Sequence, residues 1–232
     1  MTVSDVRELD RKRLAFGQVA ELYDRARPSY PAEVMQGLVQ NMALQAGGPI
    51  LEVGAGTGKA TVQLAARGLR VIGLEPDQEM ASVARRKCAG LERVSIVESD
   101  FEHWPIEESF PALISAQAWH WIDPGLRHRK AAEAVSTGGT LAALWMFPAW
   151  ERCALREAFS RAYEAAPELV ADFSMHPDSQ PDRLAGDWEH EIAQCAGFQE
   201  PVVNISMHSV RWLVPRTRMR EGQTDESWDA LA

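Results

Sequence analysis

The sequence contains little cysteine, no long hydrophobic run and no apolar leader segment. Its three cysteines are far apart and odd in number, so they match neither a disulfide framework nor the spacing of a metal site. The most apolar stretch, residues 138–150, is too short to cross a bilayer and contains Pro148. The first 16 residues carry charges throughout, unlike a signal peptide. We therefore expect a soluble protein of the cytoplasm with no metal and no membrane partner.

Basic residues are also scarce relative to acidic ones: there are 24 against 33, which gives a net charge of -9. Such a surface repels phosphate backbones, so we expect no nucleic-acid partner. The densest basic cluster, Arg85, Arg86 and Lys87, falls within a helical pattern and is expected to be a solvated helix face. With 46% hydrophobic and 25% charged residues, the 232-residue chain has the composition of a globular protein, expected to be a monomer or a homodimer.

Short apolar runs alternate with helical patterns through the first two thirds of the chain. The runs are rich in branched residues, are bounded by Gly, Asp or Pro, and are typical of buried strands. They occupy residues 49–53, 70–74, 93–97, 112–116 and 139–145, and the helical patterns between them occupy 58–67, 78–89 and 125–136. Because strand and helix alternate, we predict an α/β fold with a Rossmann-like, doubly wound, mostly parallel sheet and helices on both faces.

The two ends of the chain are predicted to flank this core within a single domain, residues 1–232. Residues 1–45 are predicted to be helical, and residues 46–150 form the core. After the core, helices are predicted at 151–166 and 187–198, a loop or lid at 167–186, and a strand at 201–214. Residues 151–214 would then form the substrate side. The last residues, 215–232, are polar with little periodicity and are predicted to be irregular.

A glycine-rich turn with the sequence GAGTG follows the first predicted strand and opens a predicted helix. A phosphate-binding P-loop would need a hydroxyl residue in place of Ala60, and a dinucleotide-binding loop would need glycine in place of Lys59. An NAD(P)-dependent oxidoreductase is therefore kept only as an alternative. A third pattern, an acidic residue followed by glycine at alternate positions, fits throughout at Glu52, Gly54, Gly56 and Gly58.

This third pattern resembles the glycine loop of the class I S-adenosylmethionine-dependent methyltransferases. The resemblance implies S-adenosyl-L-methionine as the cofactor, held by Gly54, Ala55, Gly56, Thr57 and Gly58. This cofactor carries an amino acid group and no phosphate, so Glu52 at the strand end would meet its positive group. A pyrophosphate would be repelled by the same carboxylate.

The second predicted strand ends close to another carboxylate, Glu75, which lies 21 residues after Gly54. In adenosine-binding sheets, a carboxylate at this spacing accepts hydrogen bonds from both ribose hydroxyls. The alternative is that Glu75 supplies negative charge to the N-terminus of the next helix. The resemblance implies ribose binding by Glu75, with Pro76 and Met80 near the adenosine.

The third and fourth predicted strands supply the remaining expected contacts from the sheet. Asp100 and Phe101 match the family's acidic and apolar pair, in which the carboxylate binds the adenine amino group and the next residue packs on the ring. An aspartate at this place has a simpler use as a turn former. Gln117, the first residue after the fourth strand, is expected beside the methionine part of the cofactor.

The N-terminal segment is similar to a branch of the family that includes trans-aconitate methyltransferase-like enzymes, which act on small molecules. This similarity implies a helical cover over the cofactor, formed by Phe16, Tyr23, Arg27 and Tyr30. The alternative is that Phe16 and Tyr23 pack only in the core, since with Ala20 they follow i, i+4, i+7 spacing.

The resemblance implies methyl transfer to a carboxylate or hydroxyl of a small-molecule substrate, which needs alignment and exclusion of water but no metal. His120, between Trp119 and Trp121, is the candidate catalytic base if the acceptor must lose a proton, and a structural histidine is the alternative. Residues 215–232 are too polar for the family's last strand, so we expect an altered sheet edge there. A cofactor-binding domain without catalysis is therefore a second alternative.

Overall fold

Five parallel strands form one sheet in the computed structural model, which describes residues 17, 19–42, 48–146, 156–165 and 198. The strands are β1 (Ile50–Val53), β2 (Val71–Glu75), β3 (Val94–Glu98), β4 (Phe110–Ala116) and β5 (Val135–Leu144). Their order across the sheet is β3-β2-β1-β4-β5, and each neighbouring pair is parallel. The direction of winding therefore reverses between β1 and β4, which is where ligands bind in sheets of this kind.

Helices separate β1 from β2, β2 from β3 and β4 from β5, as the sequence pattern predicts. The helices are α1 (Ala20–Ala26), α2 (Ala32–Asn41), α3 (Lys59–Ala65), α4 (Gln78–Cys88), α5 (Arg127–Ala134) and α6 (Arg156–Ala165), with a 3-10 turn at Trp119–Trp121. Two core clusters lie on opposite faces of the sheet. Leu51 of β1 packs in the cluster that contains Ala131 of α5, and Ile50 packs in the cluster that contains Leu64 of α3. The predicted Rossmann-like α/β fold, with helices on both faces, is therefore confirmed.

Helix α4 shows how local sequence positions an element beside the site. Asp77 caps its N-terminus, since Oδ1 accepts hydrogen bonds from the amides of Glu79 and Met80, each at 3.0 Å. The basic cluster lies in the last turn, where positive charge is favourable. Its side chains also form ion pairs, Arg85 with Glu98, Arg86 with Glu21 and Lys87 with Asp24. The cluster thus connects α4 to β3 and to α1, in addition to facing solvent.

Strand β5 begins earlier than the predicted strand at 139–145, and α5 ends earlier than the predicted helix at 125–136. Phe110 pairs with Val135 but Ala112 pairs with Thr140, so extra residues are accommodated within β5. Gly139 lies at this irregularity, where an added Cβ would be 2.8 Å from the carbonyl oxygen of Pro111. Gly138 and Gly139 are therefore part of an irregular strand.

The predictions for the C-terminal third fall mainly outside the described residues. Helix α6 (Arg156–Ala165) lies within the helix predicted at 151–166. The loop at 167–186, the helix at 187–198 apart from residue 198, the strand at 201–214 and the tail at 215–232 lie outside. Among the residues described, no helix combines the length and apolar character needed to span a membrane.

The buried centre of the sheet makes a testable contribution to stability. Leu113 of β4 is 0% exposed and pairs with β1 and β5, whereas Leu22 of α1 is 56% exposed. We expect Leu113→Ala to lower the free energy of unfolding by about 2–5 kcal/mol, because it removes buried methyl groups and leaves a cavity. The matched change Leu22→Ala should alter it by no more than about 0.5 kcal/mol. Urea denaturation measures both, and equal losses in the two variants would contradict this packing.

Candidate active site

A cavity of about 190 Å³ opens at the carboxyl ends of β1, β2 and β4. The cavity is lined by the glycine loop after β1, by residues of α1 and by the segment that follows α1. All of the predicted site residues line this cavity except Gly58 and Phe16. Phe16 lies outside the described residues. The structure therefore brings together side chains that are up to about a hundred positions apart in the sequence.

The glycine loop needs glycine for two different physical reasons. Gly54, Gly56 and Gly58 have φ of 75°, 56° and 78°, in the left-handed region that residues with a Cβ avoid. A Cβ on Gly54 would be 2.2 Å from the Cβ of Ala118, whereas a Cβ on Gly56 would have no neighbour closer than 3.8 Å. Gly56 thus presents bare backbone to the cavity, and Gly54 lets the loop approach the chain after β4.

Gly58 lies where the glycine loop leads into the next helix. It is the N-cap of α3 and does not line the cavity. A Cβ on Gly58 would be 3.3 Å from Cα and Cβ of Ala84 in α4. Its lack of a side chain therefore lets α3 and α4 come close, and the contact of Gly58 with the cofactor stays a prediction.

Glu75 holds the glycine loop in place from the end of β2. Its Oε2 accepts a hydrogen bond from the Gly56 amide at 2.7 Å, and its Oε1 accepts one from the Asp77 amide at 3.0 Å. The side chain is 7% exposed and lines the cavity. Since Asp77 is the N-cap of α4, the bond to its amide also agrees with the alternative role of Glu75 beside that helix N-terminus. A carboxylate has about four acceptor positions, so these two bonds are compatible with binding a sugar hydroxyl as well.

Glu52 is the most deeply buried acid of the site. It is 1% exposed, and its Oε2 has no hydrogen-bond partner among the described residues. The pKa of Glu52 is raised to about 8, because burial and, to a lesser extent, the nearby charge of Glu75 outweigh the lowering effect of a hydrogen bond with Thr61. The carboxyl is therefore mostly protonated at neutral pH when no positive group lies beside it. A positive group placed beside it would favour the ionised form.

The segment after β3 places an acid and a ring at the cavity. Asp100 Oδ1 accepts hydrogen bonds from the His103 amide at 2.7 Å and contacts His103 Nδ1 at 2.8 Å. Asp100 is thus a turn former and a cavity residue at the same time. Phe101 is 2% exposed and packs in the core, with the Lys130 ammonium 5.6 Å from its ring centroid.

Gln117 turns the chain at the end of β4. Its φ is +60°, which is unusual for a residue with a side chain and is found most often at functional sites. The Gln117 amide donates to the Leu144 carbonyl at 2.8 Å, and its Nε2 donates to the Met146 carbonyl at 2.9 Å. These bonds to β5 and the residues after it hold Gln117 at the cavity.

His120 lies in the 3-10 turn and lines the cavity. Burial, followed by the charges of Arg127 and Arg27, lowers its pKa to about 4. The indole N–H of Trp145 donates to His120 Nδ1 at 3.4 Å, so the neutral ring carries its proton on Nε2. Both features weigh against proton abstraction by His120, and the predicted base role stays a prediction.

Three residues of the predicted cover belong to α1 and to the residues that follow it, and their contact with the cofactor stays a prediction. Tyr23, Arg27 and Tyr30 line the cavity, and the Arg27 guanidinium carbon lies 5.8 Å from the Tyr23 ring centroid. Burial, and then the charge of Glu52, raises the pKa of the Tyr30 hydroxyl. Ala20 packs against Met80 with Tyr23 beside it, so the core interpretation of this helix is also correct in part.

Two charged residues at the site, Lys59 and Asp24, are not identified by the sequence analysis. Lys59 lines the cavity, and its Nζ donates to the Asp24 carbonyl at 2.6 Å. Asp24 Oδ1 also accepts a hydrogen bond from the Thr57 hydroxyl at 2.6 Å. In the sequence, Lys59 stands out only as a departure from the dinucleotide-binding pattern. Asp24 lies on a polar helix face 35 residues earlier, and only the folded chain brings the two together.

Comparisons with known proteins agree with this geometry. Residues 50–139 match the family model of a methyltransferase domain. An uncharacterised methyltransferase of Mycobacterium tuberculosis is 38% identical over 133 residues, which cover 57% of this chain and 52% of the relative. One from a Geobacillus species is 30% identical over 163 residues, covering 66% of this chain and 73% of the relative. This chain thus spans about half the length of the mycobacterial relative.

A solved structure agrees at the level of the fold. The crystal structure of an S-adenosyl-L-methionine-dependent methyltransferase from Methanococcus maripaludis has a TM-score of 0.57 and 18% identity. The matched region covers 77% of this chain and 82% of the Methanococcus maripaludis chain. These comparisons do not favour an oxidoreductase or a binding domain without catalysis. They do not single out the trans-aconitate methyltransferase-like branch.

The buried state of Glu52 predicts how stability changes with pH. The pKa of Glu52 is about 8 in the fold against 4.5 for an unperturbed group, so the folded state binds this proton more tightly than the unfolded chain. Wild-type protein should therefore lose stability as pH rises from about 5 to 8, relative to Glu52→Gln, which has no proton to release. Urea denaturation of both proteins across this range gives the difference. A constant difference, or one that grows in favour of wild type with rising pH, would contradict the buried neutral acid.

Proposed function

We propose that this chain, which belongs to the class I S-adenosylmethionine-dependent methyltransferases, binds S-adenosyl-L-methionine in the cavity and transfers its methyl group to a small-molecule acceptor. The proposal rests on one observation. The backbone of the glycine loop lines the same cavity as two buried carboxylates, Glu52 and Glu75, at the ends of neighbouring strands. Such a site suits adenosine joined to an amino acid. It does not suit a pyrophosphate, which the carboxylates would repel.

The described residues fit this cofactor on two structural grounds. The buried Glu52 Oε2 has no partner among them and would accept a hydrogen bond from the ammonium of the methionine part. Gly56 offers space that a side chain would fill, so the ligand can approach the loop backbone. Glu75 would accept from the ribose hydroxyls, Asp100 from the adenine amino group, and Met80 and Phe101 would pack near the adenosine.

The protein's part in the reaction is alignment and exclusion of water. When bound, S-adenosyl-L-methionine supplies a methyl group on a sulfonium, which is already activated for in-line displacement. Tyr23, Arg27 and Tyr30 would cover the cofactor and keep water from the reacting atoms. Gln117, held by its bonds to Leu144 and Met146, would orient the methionine part.

The state of His120 bears on which acceptor the site takes. A hydroxyl acceptor must lose a proton, but His120 has a lowered pKa and its Nδ1 already accepts from Trp145. A carboxylate acceptor needs no base, and arginine and tyrosine side chains would position it. We therefore favour a carboxylate over a hydroxyl, as in the trans-aconitate methyltransferase-like branch. In this proposal residues 1–45, 46–150 and 151–214 act together as one domain.

Ligand binding tests the cofactor site directly. We expect calorimetry to detect S-adenosylhomocysteine binding to the wild type and no NADH binding. Glu75→Gln should weaken the former by about tenfold or more, because the amide nitrogen cannot accept hydrogen bonds. The matched control is Glu98→Gln, which changes the register partner of Glu75 on β3 at a side chain that is 43% exposed. Equal affinity in the two variants, or binding of NADH alone, would contradict the site.

Transfer of labelled methyl groups tests the activity itself. Protein incubated with methyl-labelled S-adenosyl-L-methionine and a pool of small metabolites should yield a labelled product, identified by mass spectrometry. The ester of a carboxylate is the expected product class. Binding of S-adenosylhomocysteine without labelled product would instead favour a cofactor-binding domain that does not catalyse.

A further inference from the structure

Asp24 of helix α1 bonds to the glycine loop, and this attachment has a consequence for the proposed cofactor. We propose that Asp24 is a positioning residue that holds α1 closed over the cavity and thereby slows release of the bound ligand. This inference rests on the proposed function for the identity of the ligand. The attachment of α1 by Asp24 involves only residues of the chain, so it can be tested without the ligand.

Three donors from three places in the fold converge on Asp24. Its Oδ1 accepts hydrogen bonds from the Thr57 hydroxyl at 2.6 Å and from Lys87 Nζ at 2.8 Å, and it lies 3.5 Å from Lys59 Nζ. Lys59 Nζ also donates to the Asp24 carbonyl at 2.6 Å. The donors belong to the glycine loop, to the first turn of α3 and to the last turn of α4. All three elements are held by the sheet, so Asp24 attaches α1 to the rigid part of the site.

The charge on Asp24 is maintained by these same contacts. Burial raises its pKa, but the hydrogen bonds from Lys87 and Thr57 and the two lysine charges outweigh burial and leave the pKa below its usual value. Asp24 is therefore ionised at neutral pH, and its hydrogen bonds are of the stronger, charge-assisted kind.

The apolar contacts of α1 are too few to replace this anchor. The helix has seven residues, and Ala20 is its only buried one. Val19, just before the helix, and Leu22 are 47% and 56% exposed. Helices this short are marginal in isolation, so their position depends on tertiary contacts. The ion pair of Glu21 with Arg86 adds little, because both side chains are more than half exposed.

The position of α1 sets two side chains of the cavity wall. Tyr23 precedes Asp24, and Arg27 caps the C-terminus of the helix, where its amide donates to the Tyr23 carbonyl at 2.9 Å. The chain beyond the helix is held separately, since Gln63 donates to the Tyr30 carbonyl at 3.0 Å. Loss of the Asp24 contacts would therefore loosen the helix that carries Tyr23 and Arg27, while the bond of Gln63 to Tyr30 remains.

The experiment compares Asp24→Asn with Glu21→Gln, a charge removal in the same helix at an exposed ion pair. Lys87→Met is added because Lys87 bonds Asp24 but does not line the cavity, so it cannot act by contacting the ligand. Hydrogen exchange of the Arg27 amide, without ligand, reports the fastening of α1. Stopped-flow displacement of S-adenosylhomocysteine by excess S-adenosyl-L-methionine reports release, followed through tryptophan fluorescence because Trp121 lines the cavity.

We expect both rates to rise by about tenfold in Asp24→Asn and to rise in Lys87→Met, while Glu21→Gln keeps the wild-type rates. Urea denaturation should give similar midpoints for all four proteins, since α1 buries little. Wild-type rates in either Asp24→Asn or Lys87→Met would overturn the proposal. If the wild type binds no S-adenosylhomocysteine, the proposed function fails, whereas faster Arg27 exchange in Asp24→Asn would still support the fastening.

Discussion

The hydrogen bond from the Gly56 amide to Glu75, at 2.7 Å, fixes the shape of the whole site. It joins the bend after β1 to the end of β2, and so holds a loop of left-handed residues in one conformation. The bend needs that support because flexible glycines lose more conformational freedom on folding than any other residue. With the loop fixed, Gly54 meets the chain after β4, Gly58 brings α3 against α4, and Thr57 is placed to bond Asp24 of the cover.

The electrostatics of the cavity follow from burial more than from net charge. Glu52 is an acid kept neutral, His120 is a base kept neutral, and the Tyr30 hydroxyl resists ionisation. The deepest polar groups of the cavity are therefore largely uncharged in the protein alone. An incoming ammonium would change this state most at Glu52, because a positive charge at close range reverses the effect of burial. In the proposed complex, the positive ammonium of the cofactor would therefore offset the negative charge of an ionised Glu52.

Much of the fold and part of the site could be predicted from the sequence because local patterns determine them. Strands β1 to β4 are runs of apolar residues, and Glu75 follows the loop at a spacing set by one βαβ unit. Other features depend on contacts between distant segments. The early start of β5 reflects an irregularity against Pro111, and the packing role of Gly58 depends on Ala84. The bonds of Asp24 with Lys59 and Lys87 cannot be predicted from local sequence, because each residue taken alone is expected to be a surface charge.

A crystal structure of the protein with S-adenosylhomocysteine would test the nature of the site most directly. The amino group of the ligand should lie within hydrogen-bond distance of Glu52, with the ribose hydroxyls at Glu75 and the adenine amino group at Asp100. Electron density for the ligand elsewhere, with the bend at Gly56 empty and Glu75 bonded only to the loop, would show that this cavity does not hold the cofactor.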